Sequence, residues 1–90
     1  MKRGLQVIPN SIDKIKKITG YTFDRTDVEG RHTGVIAQEV EEVLPEVVSE
    51  GEDGMKSVAY GNMVGLLVEA IKDQQKQIDE LTARINTLEG

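Results

Sequence analysis

The sequence predicts an α+β fold that is mainly α-helical, with a small globular part over residues 1–62 and a long C-terminal helix over residues 63–90. The first observation is that short apolar runs in the N-terminal part are separated by glycine, proline and polar clusters, which is typical of short helices and β-hairpins. The second is an unbroken heptad pattern after it, with β-branched residues at a and leucine at d, which predicts a parallel coiled coil. We call its members the seam: Val64, Leu67, Ile71, Gln74, Ile78, Leu81, Ile85 and Leu88.

The first helix is predicted over about residues 10–19, where isoleucines recur at every third position. Asn10 or Ser11 is the expected cap, because a side-chain oxygen there can accept a free backbone N–H of the first turn. Gly20 is expected to end this helix. Alternating residues on either side of a polar turn then predict a β-hairpin over about residues 21–36.

The second helix is predicted over about residues 37–44 and is stopped by Pro45, which cannot continue a helix. Its expected buried stripe is Val40, Val43 and Leu44, with Glu39, Glu41 and Glu42 facing water. A second hairpin is predicted over about residues 46–60, because valine-rich segments flank an acidic loop that is bounded by glycines.

The long helix is predicted to be an oligomerisation element, because an apolar stripe this narrow must be covered by partner copies or by another domain. Isoleucine at a with leucine at d favours a parallel dimer. Gln74 at a d position weakens that preference, since a buried amide must find partners and so fixes register at a cost in stability. Periodicity alone therefore predicts a parallel oligomer, with a dimer slightly ahead of a trimer.

The composition agrees with an assembly role. Only 3% of the residues are aromatic, so the core of a globular part this small is thin, and oligomerisation is the expected remedy. There are no cysteines, which excludes disulfides, and the net charge of −5 argues against nucleic-acid binding. No apolar stretch is long enough to span a membrane. We therefore predict no nucleic acid or membrane partner, and no metal or cofactor.

The charges are unevenly spread along the chain. The N-terminal segment is basic, and residues 39–53 carry seven acidic residues and no base. Two solvated faces of opposite sign would explain this pattern. A second interpretation is that the basic segment contacts an acidic surface of its own or of a neighbouring copy.

No complete catalytic constellation is visible in the residues. His32 has no fixed partner in a predicted hairpin and is interpreted as a structural or surface histidine. Glu39 with Glu42 or Glu46 imitates a paired carboxylate site, but any solvated helix face shows this spacing. The loop containing Glu52 and Asp53 lacks the ligand series of a calcium loop and is interpreted as a turn.

Four ordered motifs carry a resemblance to a known family: GVIAQEV at 34–40, VLPEVV at 43–48, KSVAY at 56–60 and LLVEAIK at 66–72. With the heptad helix that follows, they resemble the C-terminal intramolecular chaperone domain of bacteriophage tail spikes, tail fibres and endosialidases, which is classed as peptidase S74. The resemblance covers nearly the whole chain, from Lys2 to the coiled coil.

The resemblance implies a homotrimer that guides folding of an upstream fibre or spike of the same polypeptide and then cuts itself off with a Ser–Lys dyad. The family pattern is Ser-Asp-x-x-Leu-Lys, and Met1-Lys2 falls where Leu-Lys belongs. Lys2 therefore matches the dyad base, while the serine would lie before Met1, so this fragment is expected to be inactive by itself. Gln38 and Glu39 lie in the densest motif and are weaker candidates for the cleavage site.

The resemblance also implies a location and leaves alternatives. The domain would act in the host cytoplasm during virion assembly and would be released from the mature fibre. One alternative is a structural trimerisation tag without a folding role. Another is a dimeric adaptor coiled coil.

Overall fold

The computed structural model describes residues 2–26 and 29–89, a body of 61 × 37 × 20 Å. Three helices and two hairpins follow one another, and short 3₁₀ turns lie at Pro45–Val47 and Tyr60–Met63. In chain order the elements are α1 (Ser11–Lys16), β1 (Gly20–Asp24), β2 (Arg31–Val35), α2 (Ala37–Val43), β3 (Val48–Glu50), β4 (Lys56–Val58) and α3 (Val64–Glu89). The prediction of a mainly helical α+β chain with a long C-terminal helix is confirmed.

The two sheets are separate antiparallel hairpins. In the first, β1 pairs with β2 so that Tyr21 lies opposite Gly34 and Phe23 lies opposite His32. Part of its predicted turn, at residues 27 and 28, lies outside the described residues. In the second, β3 pairs with β4 over three residue pairs, which is shorter than predicted. Its acidic loop ends at Gly54, whose φ of 79° is a left-handed conformation that glycine adopts readily.

The first helix differs most from its prediction. It ends at Lys16 and not at Gly20, which instead begins β1. Asn10 holds the cap position, but its φ of 52° places it in the left-handed region, and its side chain makes no capping bond. The buried hydroxyl of Ser11 does not cap the helix either, because it donates to the Asp73 carboxylate of α3 at 2.7 Å. The contact with α3 has therefore taken the place of a local cap.

The second helix begins at the predicted residue and ends one residue early. Leu44 has φ −148° and ψ 70°, outside the helical region, because the ring of a following proline disfavours helical backbone before it. Of the predicted stripe, Val40 and Leu44 are buried and Val43 is half-buried. The prediction that all three glutamates face water is wrong for Glu39 and Glu41, which are half-buried and hydrogen-bonded.

The core lies where α2, its following 3₁₀ turn and the start of α3 meet. Its buried cluster is Val40, Leu44, Val47, Met63 and Leu66, and Val40 and Leu66 have no exposed surface. Partly buried side chains pack around it from every other element except β1, including Ile8, Ile15, Val35 and Val58. The core is small and aliphatic, as the composition predicts.

Val40→Ala tests which face of α2 holds the core. Removing two methyl groups from a fully buried valine should lower the free energy of unfolding by about 2 kcal/mol. Urea denaturation followed by circular dichroism measures this change. Val43→Ala on the same helix removes the same atoms from a half-buried position and should cost less than half as much. Equal losses in the two variants would contradict this placement of the core.

Candidate functional site

The most prominent functional surface is the seam on α3. Every seam residue is exposed, and its apolar members leave between 44% and 87% of their surface uncovered. An ordinary surface helix keeps its apolar stripe against its own domain. On α3, in contrast, the seam is a largely apolar strip that its own chain leaves mostly uncovered.

A second face of the same helix holds the globular part. Leu66 and Ala70 are buried, and Asp73 accepts the hydrogen bond from Ser11. Residues at spacings of four and three share one face of a helix with 3.6 residues per turn. The seam is turned by roughly a quarter of the circumference, or about 100°, from this inner face. The helix can therefore hold its own domain and bind other helices at the same time.

After Ala70 the helix is open to solvent, although α1 still lies beside it at Asp73. All described residues from Ile71 onward are exposed, and α3 as a whole contains 26 residues, which corresponds to about 39 Å. Its surface bonds are local, such as Gln75 to Asp79 at 2.9 Å and Thr87 to the Ala83 carbonyl at 2.9 Å. No described helix of the chain is both long and apolar enough to cross a lipid bilayer.

A groove of about 650 Å³ lies between the two hairpins. Aromatic and aliphatic side chains line most of it, and its exposed large apolar members are Tyr21, Phe23, Ile36, Met55 and Tyr60. Gly34 lies in its floor, where a Cβ atom would stand only 2.7 Å from the Tyr60 hydroxyl. The missing side chain of Gly34 therefore lets Tyr60 close over the first hairpin and form one wall.

Gln38 and Glu39, the two weaker predicted site residues, take different places at the start of α2. Gln38 is exposed and lines the groove. Glu39 is half-buried, and its carboxylate accepts hydrogen bonds from the Thr19 backbone N–H at 3.1 Å and the Tyr21 hydroxyl at 3.4 Å. Glu39 thus joins α2 to the start of β1, and this role is structural.

Lys2 lies in an exposed N-terminal segment. Among the described residues no hydrogen bond or ion pair joins it to Gln38 or Glu39, so within one copy the structure does not assemble the three into one site. Their catalytic roles stay predictions.

The other titratable candidates, His32 and Asp53, make contacts of the kind that support the fold. His32 is half-buried beside Phe23, with ring centroids 6.0 Å apart, and its Nε2 atom is buried without a hydrogen-bond partner in the part of the chain that is described. The Asp53 carboxylate accepts the Met55 N–H at 3.0 Å, as expected of a turn. Within the described ranges no cluster of three metal-ligating side chains occurs.

Two polar contacts were not visible in the sequence. Ser11 and Asp73 are 62 positions apart, and Glu41 and Lys56 are 15 apart, so no local pattern joins them. The hydrogen bond from Lys56 to the Glu41 carboxylate raises the pKa of this lysine above its ordinary value. Both contacts tie neighbouring elements to the faces of α2 and α3.

Glu39→Ala tests whether Glu39 stabilises the fold by joining α2 to the start of β1. Losing both acceptors should lower the free energy of unfolding by about 1 kcal/mol, because each net hydrogen bond contributes roughly 0.5–1.5 kcal/mol. Glu39→Gln retains one oxygen acceptor and should lose less, as measured by urea denaturation. Glu42→Ala removes an exposed carboxylate from the same helix and serves as the control. A loss no larger than that of the control would contradict the role.

Comparison with known proteins agrees with the motifs. The model of the peptidase S74 family, described as the chaperone of endosialidase, matches residues 1–49. Long tail fiber protein Gp37 of Enterobacteria phage K3 is 31% identical over 94 residues, which cover 94% of this chain and 8% of that protein. Gp37 of Salmonella phage S16 is 32% identical over 99 residues, which cover 98% of this chain and 13% of the relative.

The chain therefore spans only a small part of the relatives that it matches. The family match nevertheless covers more than half of the chain, and the alignment with each of these relatives covers more than nine-tenths of it. By sequence the chain belongs to the peptidase S74 family, the chaperones of endosialidase.

Proposed function

We propose that this chain is an intramolecular chaperone of a phage tail fibre or spike, acting as a homotrimer during virion assembly in the host cytoplasm. The observation that carries the proposal is the uncovered seam on a helix whose other face holds the globular part. Three such helices bury their seams against one another and bring three globular parts to the same end. Chains of a fibre that precede them would then begin folding in register.

The choice of a trimer rests on family membership together with Gln74. Isoleucine at a and leucine at d alone favour two strands. A glutamine at d must satisfy its amide inside the coil, and three amides around one axis can hydrogen-bond to one another. Such a polar layer fixes register, because any shift along the seam would place the amide against isoleucine or leucine. Register is what a fibre-assembly domain has to supply.

Release would follow by autoproteolysis. We place the nucleophile on a serine of the precursor, in the Ser-Asp-x-x stretch that the family pattern has before Met1-Lys2. Lys2 then acts as the base that takes the hydroxyl proton, since a serine hydroxyl is a weak nucleophile until its proton is removed. A lysine amine serves in this way when it is desolvated. Trimerisation would supply the desolvation, because Lys2 is exposed in a single copy.

Replacing seam isoleucines tests the oligomer. In the 90-residue chain, Ile78→Asn with Ile85→Asn should convert a trimer to monomers, because two layers of three polar side chains replace buried isoleucines. Light scattering coupled to gel filtration measures the mass. Lys76→Asn with Ala83→Asn places the same residue on the opposite side of α3 and should leave the mass unchanged. A wild-type mass of one or two chains would refute the trimer.

Lys2→Gln separates folding from cleavage. In an extended chain that carries an upstream fibre segment and the Ser-Asp-x-x stretch, this variant should yield folded, protease-resistant fibre trimers that remain uncut. Cleavage is read by gel electrophoresis and the new terminus by mass spectrometry, with Lys17→Gln, an exposed lysine outside the N-terminal segment, as the control. Undiminished cleavage in Lys2→Gln would exclude Lys2 as the base.

A structural tag is distinguished in the same extended chain. Replacing this domain with an unrelated trimeric coiled coil should lower the yield of soluble fibre several-fold if the domain assists folding. An equal yield would support the tag and exclude the chaperone role. The seam variant Ile78→Asn with Ile85→Asn adds a further test, because cleavage that depends on assembly should fall with it.

A further inference from the structure

The N-terminal arm, residues 2–7, carries apolar side chains that its own chain leaves uncovered. Leu5 is 80% exposed and Val7 is 75% exposed, although Ile8 immediately after them packs against the core. Side chains of an extended segment alternate between two faces. With Ile8 directed at its own domain, Leu5 and Val7 share the opposite face and point outward.

The groove between the hairpins is the matching surface. It is lined mainly by apolar atoms, and Met55, at 69% exposure, and Tyr60, at 55%, are its most open members. None of residues 2–8 lines it, so the arm does not occupy the groove of its own copy. The chain thus holds an unoccupied apolar groove and an apolar segment that is not used within the same copy.

We propose that the arm of one copy binds in the groove of a neighbouring copy, with Leu5 and Val7 buried against Met55 and Tyr60. This inference rests on the proposed trimer and adds to it a contact outside the coil. The arm of each copy would bind the next copy around the axis, which closes a ring of three equivalent contacts.

The arm and the groove lie at the same level along α3. Ile8 lies over the first turn of α3, where its Cδ1 atom would be 3.6 Å from a Cβ atom on Gly65. Tyr60 begins the 3₁₀ turn that runs directly into this helix, so the arm and the groove lie at the same end of α3. Three extended residues from Ile8 to Leu5 span about 10 Å. Neighbouring helices in a coiled coil are about 8–10 Å apart.

The charges of the arm and of the second hairpin also favour binding to a neighbouring copy. The arm is basic, with Lys2 and Arg3 at its end, whereas Glu50, Glu52 and Asp53 surround the hairpin loop that carries Met55. Lys56, which lies opposite Glu50 in this hairpin, is bonded to Glu41. An arm lying along the groove of a neighbour would bring Arg3 to this acidic loop, while Lys2, the proposed base, would have to remain clear of its carboxylates.

Disulfide trapping in the 90-residue chain tests the contact, because the sequence has no cysteine of its own. Leu5→Cys and Met55→Cys are made in separate chains, one of them isotopically labelled. The two are unfolded together, refolded at equal amounts and mildly oxidised. The expected result is a covalent pair of chains whose linked peptides, identified by mass spectrometry, join position 5 to position 55. Only contact between copies can form this link.

Thr82→Cys, mixed with Leu5→Cys, is the control. Thr82 is exposed and lies 17 positions beyond Gly65, or about 25 Å along the helix, out of reach of the arm. Its link to position 5 should be at least tenfold less abundant than the 5–55 link.

A second comparison needs no disulfide. Leu5→Ser with Val7→Ser should raise the concentration at which the trimer dissociates about tenfold or more. Gln6→Ser, on the other face of the arm, should not.

The outcomes separate this inference from the proposed function. A trimer whose 5–55 link is no more abundant than the control overturns the arm contact and leaves the trimer standing. A chain that carries both cysteines and closes the bond within itself at high dilution shows that the arm binds its own groove, which also overturns the exchange. A monomeric chain refutes the proposed oligomer and this contact together.

Discussion

The burial of Leu66 is the constraint on which the other contacts of this small domain depend. It has no exposed surface and lies in one cluster with Val40 and Met63, so a single turn of α3 anchors the long helix to the core. Once that turn is fixed, the periodicity of the helix fixes the direction of every later residue. The seam lies beside the domain and stays uncovered because it is about 100° around the helix from Leu66.

Polar contacts refine this arrangement from three sides. Ser11 bonds Asp73 and holds α1 along α3, while Glu39 bonds Thr19 and Tyr21 and holds the first hairpin to α2. Lys56 and Glu41 do the same for the second hairpin. Each contact adds little free energy because each is partly open to water. Their main effect is on position, since they set where the two hairpins stand and so where the groove opens.

The sequence predicted the periodic and locally signalled parts of this chain. The seam, the stop at Pro45 and both hairpins follow from side-chain patterns and backbone chemistry that act within a few residues. Local patterns did not predict where α1 ends, nor the roles of Asn10, Ser11 and Glu39. These features depend on contacts with residues far along the chain. The same limit applies to the site. Motifs identified Lys2 and Gln38 as candidates, but neither periodicity nor one copy of the fold brings them together.

The close approach of Tyr60 to Gly34 links two motifs that are well separated in the sequence. The space for the tyrosine hydroxyl exists only because position 34 has no side chain. A larger residue at 34 would displace the Tyr60 side chain, so the hairpin and the turn that leads into α3 are coupled at this contact. Hybrids that join this domain to a related member of the family should have their junction before residue 34 or after residue 60. A junction between these positions would pair residue 34 of one domain with residue 60 of the other, and the two would not be matched for this contact.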